Sequence, residues 1–391
     1  MERAENGFQR SAWAAPLIKS GAREVVEEVF ARIDVRLNGT RPWDIRVHNP
    51  DFYDRVLSGG SLALGESYMD GWWGCSALDQ FFDRLLSAGL DRQVGKNWQV
   101  LWHVATAKFI NKQRKSRAGV IGKRHYDLGN RLFRQMLDRR MNYSCALWDR
   151  AQTLDEAQEN KLELICRKIR LRPGMTLLDI GCGWGGLAKW AAQKYQARVL
   201  GLTVSREQAE YTRRDCRDLD VTIERKDYRE ISGQFDRIVS IGMMEHVGVK
   251  NYRTYMQTLR RCLKAGGLCL VQTIGGNTSV STTDPWIDRY IFPNSMLPSA
   301  RQIAAASEGL LVLEDWHSFG PDYDKTLMAW HRNFTRNWDS LKAFYDERFY
   351  RMWTYYLLSC AGSFRSRRNQ LWQIVFSKDG LRGGYHCDRT L

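Results

Sequence analysis

With 391 residues, 43% of them hydrophobic, the chain is long enough for two domains and a large core. A formal net charge of +15 implies an anionic partner, either nucleic acid or a membrane surface. The nine cysteines are scattered, with no C-x-x-C and no metal-like pairing with the seven histidines. That argues against a disulfide scaffold or a metal site and for free thiols in a reducing compartment.

No apolar signal core opens the sequence, and no run approaches the roughly 18 apolar residues that span a bilayer. Any membrane contact is expected to be peripheral and cytoplasmic. Residues 43–86 mix short helical patterns with Gly59-Gly60 and the aromatic cluster Tyr68, Trp72 and Trp73, and residues 1–95 are expected to form a smaller, mainly helical N-terminal domain. A basic amphipathic linker is expected over 96–124. Within it Trp98, Leu101, Trp102, Ala105 and Phe109 share one helical face, and Lys108, Lys112 and Lys115 a neighbouring one. Tryptophan beside cations suits the headgroup layer of anionic lipid, where each basic residue contributes roughly 1 kcal/mol. The same face could equally pack on the rest of the protein, with its lysines merely solvated.

Residues 125–391 alternate strand and helix signals. Segments 176–180, 199–204, 221–225, 235–241 and 268–274 read as strands with helical patterns between most of them. A strand over 310–315, a long helical region over 326–366 and a closing strand over 370–376 follow. This pattern predicts an α/β fold with a mainly parallel seven-stranded sheet covered on both faces. Ligands in such sheets bind beyond the carboxyl ends of the strands, and Asp179, Thr203, Asp227, Glu245 and Gln272 all fall near those ends. The Gly-rich tail from Lys378 to Leu391 is expected to fray.

The most informative stretch is Leu177-Leu178-Asp179-Ile180-Gly181-Cys182-Gly183-Trp184-Gly185-Gly186: a buried strand, a glycine turn, and a helix starting near Gly186. Glycines let the backbone turn sharply and approach a ligand, and the helix N-terminus adds positive potential. The spacing also fits the dinucleotide pattern G-x-G-x-x-G. However, the next strand ends in Leu202-Thr203-Val204-Ser205 without the acid that would hold a ribose. Asp179, aimed at the turn, suits a cationic ligand end such as the ammonium of a methionine moiety. The segment resembles motif I of the S-adenosylmethionine-dependent methyltransferases, which carry a Rossmann-like domain.

Further motifs sharpen that resemblance. They are Glu66-Ser67-Tyr68-Met69-Asp70-Gly71-Trp72-Trp73, His125-Tyr126-Asp127-Leu128-Gly129-Asn130, Tyr143-Ser144-Cys145-Ala146, Leu202-Thr203-Val204-Ser205-Arg206-Glu207-Gln208, Asp227-Tyr228-Arg229 and Glu245-His246-Val247-Gly248. Together they resemble the bacterial cyclopropane-fatty-acyl-phospholipid synthase family over about residues 43–376. The resemblance implies a cytoplasmic homodimer, peripheral on the inner membrane face, with no nucleic-acid partner. Its substrate would be an anionic or zwitterionic phospholipid bilayer with unsaturated acyl chains, which such enzymes methylenate at cis double bonds using S-adenosylmethionine. Residues 1–95 would then associate with lipid and 125–391 would hold the cofactor.

An isolated alkene is a weak nucleophile, so the methyl donor must be held in line within a dry cavity, positioning that is worth about 7–11 kcal/mol. The resulting carbocation needs aromatic stabilisation and exclusion of water. A base must then remove a proton so that the ring closes, and the resemblance implies that this base is bound bicarbonate. It would sit between Glu245, Tyr323, the backbone at Cys145 and Ile274, and the side chain of Gln272. The family usually has His at position 272; an amide can donate to an anion but cannot titrate. Cys360, in an apolar helical run, is expected to line the cavity as a small hydrophobe. By the same resemblance Asp179, Gly181 and Gly183 surround the methionine and ribose portion, Tyr143 and Ser144 meet the methionine end, Thr203 and Gln208 the ribose, and Asp227 the adenine edge. Thr203 and Gln208 also admit plain helix capping around Ser205. Trp330, His331, Phe334 and Trp338 are expected in the core, His246 to orient or pack, and Tyr323 on a loop. Transfer of methyl without ring closure, methylation of a small amine, and a non-catalytic basic adaptor are the competing readings.

Overall fold

The computed structural model describes residues 21–89, 129–387 and 389; the basic stretch 96–124 and the motif residues His125–Leu128 lie outside them. Early in the chain, β1 (Arg46–Val47) pairs antiparallel with β2 (Trp73–Gly74). The remaining strands are β3 (Thr176–Ile180), β4 (Arg198–Thr203), β5 (Val221–Arg225), β6 (Phe235–Ile241), β7 (Leu263–Gly276), β8 (Val312–Ser318) and β9 (Asn369–Ser377). They form one seven-stranded sheet in the order β5-β4-β3-β6-β7-β9-β8. Neighbours from β5 to β7 run parallel, and β9 runs antiparallel to both β7 and β8. The mainly parallel seven-stranded sheet read from the sequence is therefore the observed one.

Its centre is buried on both faces, as a strand of Leu177, Leu178 and Ile180 requires. The chain leaves β3 toward β4 on one side and returns to β6 on the other. This places the reversal of strand order, where ligands bind in such sheets, at the end of β3.

Several expected boundaries shift for local reasons. The strand expected over 310–315 is β8, Val312–Ser318, because Leu310 and Leu311 turn back to bond the Ser307 carbonyl at the end of helix Ala300–Ser307. The helical region expected over 326–366 is three helices, Pro321–Arg336, Trp338–Leu341 and Glu347–Arg365. The last begins afresh where Asp346 accepts the Phe349 N–H at 2.8 Å, a side-chain N-cap. Tyr323 is not on a loop. Pro321 at the first helical position starts the helix early and puts Tyr323 in its first turn. The tail does not fray over its described part. Tyr385 donates to the Lys168 carbonyl at 2.8 Å, the Leu381 N–H bonds Glu314 at 3.0 Å, and Arg389 pairs with Asp315.

The N-terminal helices Ala22–Ala31, Phe52–Met69 and Leu78–Ser87 share one apolar core with residues 132–147 and with helix Glu347–Arg365. Phe81 and Phe82 stack edge-on in a cluster that includes Tyr355, and Arg365 bridges Asp79 at 2.6 Å and Asp324 at 2.9 Å. Helix Glu347–Arg365 lies so close to Leu78–Ser87 that a Cβ on Gly362 would stand 2.7 Å from the Asp79 carbonyl oxygen. Gly362→Val is therefore expected to destabilise the protein by about 1–3 kcal/mol, the usual cost of overpacking, in urea denaturation. An unchanged midpoint would mean that the two helices separate without penalty.

Candidate active site

A cavity of about 1420 Å³ opens at the carboxyl ends of the strands. Tyr143, Ser144, Cys145, Glu245, Gln272, Ile274, Tyr323 and Cys360 all line it, as do Val26, Phe30, Leu57 and Leu86 of the N-terminal helices. Sheet residues and early-chain residues thus enclose one space. Trp330 and Phe334 are fully buried in the core and are not among the lining residues.

Glu245 reaches this cavity from the short helix Met244–Val247 that follows β6. Its Oε1 accepts the Ile274 N–H at 2.6 Å, and Oε2 makes no hydrogen bond among the described residues. The Ile274 amide is thus spent on Glu245. Burial pushes the Glu245 carboxyl up to about 7, although the Ile274 N–H and the neighbouring Thr273 hydroxyl favour its ionised form. Gln272 on β7 accepts the Gln373 amide of β9 at 2.9 Å through its Oε1, which leaves its own NH2 group as the donor end. Tyr323 packs its ring on Phe364, with centroids 4.6 Å apart, and burial drives its hydroxyl far above the ordinary range. The Cys145 thiol donates to the Ala146 carbonyl at 3.2 Å, and burial also keeps it and the Cys360 thiol protonated, the latter pushed up to about 12. These are wall groups rather than nucleophiles. His246 stacks edge-on against Phe292, and burial lowers it to about 4, so it stays neutral.

Gly181, Gly183 and Gly185 all hold positive φ. A Cβ on Gly183 would meet nothing within 4 Å, so there the left-handed backbone alone demands glycine. Gly186 is required by packing: its Cβ would lie 2.5 Å from Asn142 Oδ1. The turn is also tied to Asn130, which accepts the Trp184 indole N–H at 2.8 Å. Asp179, fully buried at the end of β3, is pushed up to about 7 by burial, with Lys161 opposing the shift.

Thr203 and Gln208 bond each other at 2.8 Å, and Ser205 caps the helix Arg206–Asp215 by accepting the Gln208 N–H. The capping box is half formed, because the Ser205 N–H goes to Thr203 Oγ1 at 3.1 Å instead of to Gln208. Asp227 is engaged by Arg229 at 2.8 and 2.6 Å. Of the cofactor candidates only Tyr143 and Ser144 line the large cavity; Asp179, Gly181, Gly183, Thr203, Gln208 and Asp227 cluster behind it at the ends of β3, β4 and β5. Missed from the sequence were Gln158 and Lys161, which bond the Tyr143–Ser144 loop from helix Leu154–Lys168. Their signal was two polar residues, three apart, on a face otherwise apolar.

Residues 112–374 match the family described as mycolic acid cyclopropane synthetase. The chain belongs to that family. A cyclopropane-fatty-acyl-phospholipid synthase of Escherichia coli K12 is 54% identical over 365 residues, covering 93% of this chain and 95% of the relative. Among solved structures, cyclopropane synthase MmaA2 from Mycobacterium tuberculosis superimposes with a TM-score of 0.63 at 31% identity, covering 66% of this chain and 98% of that one. Mycolic acid cyclopropane synthase CmaA1, complexed with SAH and CTAB, gives 0.62 at 32% identity, covering 66% and 98%. The family match begins at residue 112, so the N-terminal helices that wall the cavity precede it.

The Glu245 carboxyl yields a pH prediction. Folding raises it from 4.5 to about 7, so the folded chain holds the proton more tightly. Its contribution is fully present below 4.5 and is lost as pH rises through 7, roughly 3 kcal/mol in all. Glu245→Gln is expected to lessen the fall in stability between pH 5 and pH 8 in urea titrations, with the part due to Asp179 remaining; an equal fall in the two proteins would refute the assignment.

Proposed function

We propose that this chain transfers a methylene unit from S-adenosylmethionine to the cis double bond of an unsaturated phospholipid acyl chain and closes a cyclopropane ring. The observation that carries this reading is the single cavity in which Glu245, Gln272 and Tyr323 meet the apolar walls of the N-terminal helices. The 54% identical relative supports the phospholipid substrate.

The residues present fit the cofactor. The left-handed glycines Gly181 and Gly183, the buried Asp179 and the Tyr143–Ser144 loop would hold its amino-acid and ribose portions, with Thr203, Gln208 and Asp227 toward the nucleoside. S-adenosylmethionine supplies an electrophilic methyl group when bound there. The acyl chain lies against apolar walls, which exclude water from its double bond. Tyr143, Phe292 and Tyr356 face the same space, with the Tyr143 and Tyr356 hydroxyls bonded at 2.8 Å. Such rings stabilise a carbocation by about 2 kcal/mol per desolvated contact.

The base site also fits a small anion. Glu245 in its protonated form, which burial favours, offers an O–H, Gln272 an amide N–H and Tyr323 a phenolic O–H. Bicarbonate bound among them would supply the base that removes the proton for ring closure. A carboxyl beside an anion is acceptable because a proton lies between the two. The Ile274 N–H acts at one remove, by holding Glu245 in place. Cys145 and Cys360 shape the wall.

No described helix is long and apolar enough to cross a membrane. Peripheral attachment to the cytoplasmic leaflet, through residues 1–95 and the basic stretch 96–124, fits the +15 charge. Residues 125–391 would form the cofactor-binding catalytic unit, acting as a homodimer.

The deciding experiment incubates the purified protein with cis-unsaturated phospholipid vesicles and S-adenosylmethionine, with and without bicarbonate, and profiles the fatty acids by mass spectrometry. A gain of one CH2 with loss of the double bond is expected, faster with bicarbonate. No mass gain would overturn the function, and a rate indifferent to bicarbonate would overturn the base. Because Gln272 binds an anion more weakly than a titratable His, a fraction of uncyclised product is expected and should shrink in Gln272→His. Purely cyclised product from both proteins would refute that expectation.

A further inference from the structure

Helix Leu154–Lys168 buries Gln158 and Lys161, three residues apart, with relative exposures of 0% and 1%. An ammonium group so deeply buried is costly unless it is bonded and neutralised. Lys161 Nζ donates to Ser144 Oγ at 3.0 Å and to Asn142 Oδ1 at 3.3 Å, and Gln158 donates to the Ser144 carbonyl at 2.8 Å. Ser144 is thereby held from behind at both its backbone and its hydroxyl, while it lines the cavity in front. Burial lowers Lys161 to about 8, and the nearby carboxyls of Asp138 and Asp179 help to keep its charge.

A serine hydroxyl has one proton and two lone pairs, whereas an ammonium only donates. Lys161 therefore occupies the acceptor side of Ser144 and leaves the hydroxyl proton to be given elsewhere; no acceptor takes it among the described residues. Asp179 stands at the end of β3, within electrostatic reach of Lys161. The pair sets one basic and one acidic group at the site, which can meet the carboxylate and the ammonium of a zwitterionic amino acid.

We propose that Lys161 is a positioning residue for the methyl donor: it turns the Ser144 hydroxyl into a fixed donor toward the carboxylate of the bound ligand's amino-acid end and supplies the positive charge that selects that end. The proposal rests on the cofactor reading above. Its role is distinct from support of the fold, because it predicts discrimination between ligands that differ only in that carboxylate.

Calorimetric titration of the full chain with S-adenosylhomocysteine, and with its analogue lacking the carboxylate, tests this directly. Wild-type protein is expected to prefer the carboxylate-bearing ligand. In Lys161→Met and in Ser144→Ala that preference should fall by about tenfold, the scale of a hydrogen bond to a charged group, while the analogue binds as it does to wild type. Equal weakening of both ligands in Lys161→Met would reduce the lysine to structural support and overturn the proposal. So would an intact preference in Ser144→Ala, a cavity-lining substitution that does not depend on how Lys161→Met folds. Wild-type protein that binds neither ligand would sink the cofactor reading itself, and this proposal with it.

Discussion

Removal of ionisable side chains from water, with only partial pairing, is the constraint on which this site depends. Glu245, Asp179 and Lys161 are each essentially cut off from solvent. Each has its proton equilibrium moved toward neutrality, the two carboxyls upward and the lysine downward. In water these groups would hold ordinary charges and bind little. Out of water a protonated carboxyl becomes a hydrogen-bond donor, and an ammonium has strong directional influence on the few polar groups it touches.

Enclosure of the cavity in turn depends on the N-terminal helices. They do not form a separate lobe with its own closed core; their apolar residues join those of helix Glu347–Arg365 and of the loop that carries Tyr143. Because one surface of that shared core is also the cavity wall, packing and the shape of the cavity are set by the same contacts. The close approach at Gly362 and the Arg365 bridge to Asp79 and Asp324 hold the early chain against the catalytic unit. Relatives such as MmaA2 match only 66% of this chain. The family match begins at residue 112, so the N-terminal helices lie outside it.

The backbone frame around the glycine turn follows the same economy. Asn142 touches Gly186, Asn130 holds Trp184, and Lys161 spans Asn142 and Ser144. These contacts tie the Tyr143–Ser144 loop and the glycine turn to one another.

Much of this was legible before any coordinates. Alternation of short apolar runs with helical patterns specified the seven-stranded sheet, because strand and helix periods are local properties of consecutive residues. The glycines announced the tight turn after β3, because a left-handed backbone leaves a glycine signature. The motifs around Glu245 and Tyr143 carried the family. What remained hidden was everything set by contacts distant in sequence. Thr203 and Gln208 spend their polar groups on each other, Ile274 spends its amide on Glu245, and Pro321 draws Tyr323 into a helix. Gln158 and Lys161 are polar residues on an otherwise apolar helix face, and nothing local says what they meet. Only tertiary structure could turn that face inward, because burial and electrostatic neighbourhood depend on which segments meet, and a linear pattern carries no record of that meeting.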